Sequence, residues 1–161
     1  MKGKTHIVGG AAAACLVTYA IPSSEPLLML PAGVVGGLLP DICHGGSKIG
    51  RRFRILSFLV NLLFGHRTFT HSLLFVALLA GAGFYFVPGA YTDLLIAFLA
   101  GVASHLILDA ATSSGIGLLY PLDIKVRFPL TTRTGGIVEW FVFAGLSLYV
   151  VYASYDFMSF L

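Results

Sequence analysis

The residues in this chain that can do chemistry are five histidines and a handful of carboxylates set in an otherwise apolar sequence. His105 and Asp109 stand four apart, so one face of a helix would present an imidazole and a carboxylate from neighbouring turns. Asp41 and His44 offer a similar pair across a helix end or a tight turn. His66 and His71 bracket the stretch His66-Arg67-Thr68-Phe69-Thr70-His71. Five apart, they diverge on a regular helix and converge only where the chain turns, as at a helix start. His6 is available from the first apolar segment. Borderline metals such as zinc take imidazole nitrogen and carboxylate oxygen together. The candidate ligands His6, Asp41, His44, His66, His71, His105 and Asp109 suffice for one divalent ion. They also suffice for two ions roughly 3.5–4 Å apart in a bridged arrangement. Zinc is the first expectation, with manganese or iron as alternatives. Cys43 reads as a bystander, because a His/Asp set has no need of a soft thiolate.

The elements that must carry these residues are membrane helices. Of 161 residues, 57% are hydrophobic and only 11% charged, with mean hydropathy +0.90. A soluble domain carries about 25% charged residues, so this surface is not built for water. The expected fold is all-α: a polytopic membrane helix bundle, residues 1–161 forming a single integral membrane domain. Apolar runs cover 7–21, 27–39, 73–87, 94–108 and 137–153. The run 53–64 is shorter than the roughly 20 residues of a span and suits a re-entrant or interfacial helix. Four to five passes follow. The N-terminus, with Lys2 and Lys4, resembles the charged start of a signal peptide, but Tyr19-Ala20-Ile21-Pro22 is a poor cleavage site. A retained segment is expected. The two cysteines make no disulfide framework. No basic run or aromatic platform points to nucleic acid.

Charge placement orients the bundle. With the N-terminus in the cytoplasm and a crossing at each apolar run, all ten Lys and Arg residues fall on cytoplasmic segments, as the positive-inside rule requires. The same topology brings His6, Asp41, His44, His66, His71, His105 and Asp109 to that face. A lone interfacial histidine is ordinarily just a satisfied polar residue, and His105 with Asp109 could be a plain helix-end hydrogen bond. Convergence of all five histidines favours a metal site. In that reading Asp41, His66, His71, His105 and Asp109 are the inner ligands, with His6 and His44 as outer ligands or proton carriers. Asp41, His66, Arg67 and His71 are the catalytic candidates. Arg67 would hold an anionic oxygen, since guanidinium matches phosphate geometry. Lys125, Arg127 and Arg133 would meet anionic head groups. Ser113-Ser114-Gly115 reads as a helix-ending turn.

Asp41 in Leu38-Leu39-Pro40-Asp41, the His66–Ser72 stretch, and Ser104-His105-Leu106-Ile107-Leu108-Asp109 followed by Thr112, Gly115 and Tyr120-Pro121 resemble the YdjM-like family. Its members are described as inner-membrane metal-dependent hydrolases, some controlled by the DNA-damage repressor LexA. The resemblance runs from His6 to about Pro121. It implies a bacterial or archaeal cytoplasmic-membrane enzyme. A site at the bilayer face adds the expectation of a phospholipid or lipid-linked phosphate as substrate, in a phospholipase-like or phosphodiesterase reaction. A divalent-metal transporter is the rival from another class, but its ligands belong near the midplane. Here the runs 7–21, 73–87 and 137–153 are nearly free of ionisable groups. A non-catalytic metal-binding scaffold is the third reading.

Overall fold

Glycine and alanine decide how closely the first helices meet. In a computed structural model describing residues 1–21, 25–64, 68–129 and 131–159, the core is formed by α1 (Gly3–Ala20), α2 (Pro26–Leu38) and α6 (Thr92–Ala110). A Cβ added at Gly10 would run into the Gly33 carbonyl, and one at Gly101 would meet both Gly33 and the backbone nitrogen of Gly37. Backbones this close leave no room for a side chain, the packing that small residues allow in lipid. Ala14, Met29 and Ala97 fill the seam farther along.

Around this core stand α5 (Leu73–Phe86) and α7 (Ile137–Ser159), with exposed apolar side chains such as Leu78, Phe84, Phe141 and Val151. Such faces suit lipid. Among the described residues three stretches are long and apolar enough to cross a membrane: Pro26–Cys43, Gly89–Ala110 and Ile137–Ser159. The apolar runs read from sequence appear as helices with ends shifted by a few residues. α7 differs most, continuing past Ala153 to Ser159. The Tyr19 hydroxyl donates to Asp156 Oδ2 at 2.8 Å, and the Tyr19 and Phe157 rings pack at 4.7 Å, so the last turns of α7 are tied to α1.

The segment 53–64 forms α4 (Arg54–Phe64), an 11-residue helix. At 1.5 Å per residue it reaches about 16 Å, far less than a bilayer core of about 30 Å. Ser57 is buried while Ile55, Phe58, Leu62 and Leu63 are exposed, the division of a helix lying at an interface. It follows the short α3 (Lys48–Arg52) and packs beside the 3₁₀ turn Leu39–Cys43. Among the described residues there are no strands. Residues 111–129 and 131–136 form a cover over one end of the bundle, with Ile116 and Val126 exchanging backbone hydrogen bonds and Ile116 buried against Val102 and Leu106. Gly115 takes φ 62° in a turn, as Ser113-Ser114-Gly115 led one to expect.

Gly101→Val is expected to lower stability in detergent by about 2–3 kcal/mol or more, because the new methyls meet backbone rather than a yielding side chain. Gly81, with open space around it, should accept the same substitution with little change. Equal melting shifts for the two would overturn the close-packed seam.

Candidate metal centre

The helix ends bring the polar residues together. His105 and Asp109 lie in the last turns of α6, Asp41 in the turn after α2, and His71 in the 3₁₀ turn Phe69–His71 before α5. One donor atom from each of Asp41, His71, His105 and Asp109 lies within 4.8 Å of all the others. His71, His105 and Asp109 are fully buried, and the Asp41 side chain is 13% exposed.

The orientation of each imidazole is set from behind. His105 Nδ1 donates to the carbonyl of Gly37 at 2.7 Å. A carbonyl only accepts, so the proton is on Nδ1 and the Nε2 lone pair of a neutral ring faces the cluster. His71 Nδ1 is paired with the Thr70 hydroxyl at 3.0 Å, leaving its Nε2 inward as well. The two Nε2 atoms then face each other at 3.1 Å. Two lone pairs this close repel unless a proton or a cation lies between them.

The carboxylates close the arrangement. Asp109 Oδ2 is 3.6 Å from His71 Nε2 and 3.7 Å from His105 Nε2. Asp41 Oδ1 is 4.0 and 3.8 Å from the same two nitrogens. Tetrahedral ligands at zinc-like bond lengths of about 2.0–2.2 Å stand about 3.3–3.6 Å apart. The observed separations bracket that edge, and two carboxylates balance a divalent charge. The group can therefore hold a metal ion. Burial works against a proton on His71, but the Asp109 carboxylate and Cys43 outweigh it and raise its pKa above the ordinary histidine value. The field at this point favours positive charge.

His6 is buried against this group without joining the four donors. Its ring stacks on His105 with centroids 3.7 Å apart, and Nε2 lies 3.1 Å from Asp109 Oδ1, which the amino group of Met1 also contacts. His44 is exposed and borders a cavity of about 570 Å³ that reaches Asp41. His66 and Arg67 lie outside the described residues. Lys125, Arg127 and Arg133 are exposed on the cover segment, and none of them lines the cavity beside Asp41.

Three supports of the site are not apparent as functional residues in the sequence. Gly37 acts through its backbone, for which no residue type gives a signal. Thr70 is flagged only by standing next to His71. Glu139, near the start of the last apolar run, is buried and accepts from Lys2 N–H at 2.6 Å, from Thr5 Oγ1 at 2.7 Å and from Gly135 N–H. It pins the start of α1, and with it His6, to the start of α7. Cys15 and Cys43 are both buried, and neither forms a disulfide.

A family model described as "YdjM inner membrane protein" matches residues 1–160. The chain belongs to the YdjM family. It is 48% identical over 158 residues to the uncharacterized protein YvsG of Bacillus subtilis, covering 96% of this chain and 95% of that protein. It is 34% identical over 128 residues to inner membrane protein YdjM of Escherichia coli, with 77% of this chain and 65% of that protein covered. The YdjM protein of Shigella flexneri matches to the same extent. No solved structure matches the chain. YdjM membership and the apolar helices together make this an integral membrane protein of inner-membrane type.

Thr70→Val removes the partner of His71 Nδ1 while nearly keeping the side-chain shape. It is expected to weaken zinc binding about 10–100-fold, the usual effect of losing such an outer contact. Titration of chelator-stripped protein with zinc checks this, and unchanged affinity would mean that His71 is not a ligand.

Proposed function

We propose that this protein is a membrane-embedded metal-dependent hydrolase that cleaves a phosphoester of a phospholipid or a lipid-linked phosphate at the cytoplasmic face. The observation that carries the reading is the pair of inward Nε2 atoms at 3.1 Å, enclosed by two carboxylates at one end of the bundle. The four donors converge on one position, so a single ion is the simplest loading, zinc foremost, with manganese or iron as alternatives. Such an ion supplies an electrophile for a phosphoryl oxygen and lowers the pKa of water to about 7.

The remaining work belongs to the chain. His71, His105 and Asp109 hold the centre, their positions fixed by Thr70, Gly37 and the close contact of α1, α2 and α6. Asp41 alone among the four donors retains exposed side-chain surface, and it borders the cavity from which water and substrate arrive. It is placed to take the proton of the attacking water. His6, stacked on His105 and in reach of Asp109, is suited to carry a proton between the buried group and the outside. His66 and Arg67 precede the His71 turn in the chain and remain the candidates for a further ligand and for stabilising the phosphoryl charge. The cytoplasmic assignment rests on the positive-inside pattern, and the lipid substrate on the site's position at the end of the helices, where head groups lie.

The test is a phosphate-release screen over phospholipids and lipid-linked phosphates with protein stripped by chelator and reloaded with zinc, manganese or iron. Turnover should appear only with metal. Asp41→Asn should lower it by about 10²–10⁴-fold, the range for loss of a general base, while the protein stays folded. His71→Ala and Asp109→Ala should also lose the bound metal. Stoichiometric metal together with every phosphoester left intact would sink the hydrolase reading.

A further inference from the structure

The cavity beside Asp41 has a charge that the metal centre does not explain. Of its lining residues, Lys2, Lys4, Lys48 and Arg51 are cationic, and Asp41 is the one carboxylate. Among the described residues no carboxylate pairs with the side chains of Lys2, Lys48 or Arg51. Lys4 is partly engaged, its ammonium lying 4.8 Å from the Phe143 ring centre. The positive-inside rule accounts for basic residues at this end of the bundle, but not for their gathering around one concavity. Arg52 and Arg54, on the same segment, do not line it.

The cavity wall is held in register with the candidate ligands. Ser47 Oγ donates to the Asp41 carbonyl at 2.8 Å and accepts from Gly50 N–H at 2.8 Å. A Cβ at Gly50 would collide with the His44 carbonyl, so the turn is drawn tight against the chain that follows Asp41. Lys48 and Arg51 thus project from the turn whose other end supplies a metal donor. The stem of Lys48 lies 3.8 Å from where a Cβ on Gly3 would stand, so this wall also closes on the start of α1. A volume of about 570 Å³ exceeds what a bare phosphate needs and lies within the usual 300–1,000 Å³ of ligand pockets.

We propose that this cavity is the anion subsite of the enzyme, in which Lys48 and Arg51, with Lys2 and His44 at the rim, hold the phosphate charge of the substrate next to Asp41. Guanidinium pairs with phosphate oxygens in a bidentate manner, and the ammonium adds a point charge. The inference rests on the phosphoester reading above and names the residues that select its substrate. It moves that role from Lys125, Arg127 and Arg133 to the turn 44–51. Phosphate chemistry is shared by a soluble monoester and a lipid head group, so the two sources are tested separately.

Zinc-loaded parent protein in neutral detergent is titrated with inorganic phosphate. In parallel it is exchanged into nanodiscs of phosphatidylcholine with or without phosphatidic acid, and retention of the acidic lipid is measured. Lys48→Gln with Arg51→Gln is compared with Arg52→Gln with Arg54→Gln, which removes the same charge outside the cavity. A loss of ten-fold or more in phosphate affinity in the first pair alone supports the subsite with a soluble group as ligand. The same loss confined to phosphatidic acid supports it with a lipid head group. Equal losses in both pairs, or no binding by the parent, would overturn it. Zinc content is read on every sample. Phosphate binding that depends on Lys48 and Arg51 in a protein that takes no zinc would leave the subsite standing and remove the hydrolase reading. Zinc binding with both phosphate affinity and phosphatidic acid retention unchanged in the first pair would do the reverse.

Discussion

The close approach of three helix backbones at Gly10, Gly33, Gly37 and Gly101 is the constraint on which the rest depends. Because α2 and α6 touch through backbone, the Gly37 carbonyl comes within 2.7 Å of His105 Nδ1 and fixes which nitrogen of that ring faces the cluster. Because α1 lies against both, His6 stacks on His105. A seam of larger side chains would separate the helices by several ångströms, and donors that now converge would face separate patches of lipid or water. Packing and chemistry are therefore the same contact seen from two ends.

Burying two carboxylates and three imidazoles at the end of a membrane bundle is costly unless each charge is matched. The structure answers by clustering: Asp109 meets His6, His71, His105 and the amino group of Met1, while Asp41 stays near the opening. The clustered carboxylates favour a cation among them, and the hydrogen bonds at Nδ1 of His71 and His105 turn both Nε2 atoms toward that point. Glu139 extends the same logic outward, as a buried carboxylate satisfied by backbone and hydroxyl donors of α1 and the loop before α7. Stability and site geometry then share residues, so substitutions at Glu139 or Thr70 act on both.

The lipid-facing helices and the interfacial α4 do different work from the core. α5 and α7 carry apolar side chains outward and touch the core through few polar groups. α4 lies too short to cross and packs against the turn bearing Asp41.

Composition and hydropathy by themselves determined an all-helical membrane protein and the approximate helix limits, because a bilayer demands long apolar runs and tolerates little else. The one-sided distribution of Lys and Arg, with the histidines, determined that the polar residues share one end of the bundle. The i, i+4 spacing of His105 and Asp109 made that pair legible, since helix geometry alone puts them on one face. What only the tertiary structure decided is which of the seven candidates meet. Asp41, His71, His105 and Asp109 converge, whereas His6 stacks behind them and His44 turns to the cavity; His66 lies outside the described residues. Convergence depends on interhelical distance, and that distance was set by glycines whose lack of a side chain gives no chemical signal in the sequence. The roles of Gly37 and Glu139 and the gathering of Lys48 and Arg51 around a cavity were hidden for the same reason: each depends on a neighbour far away along the chain.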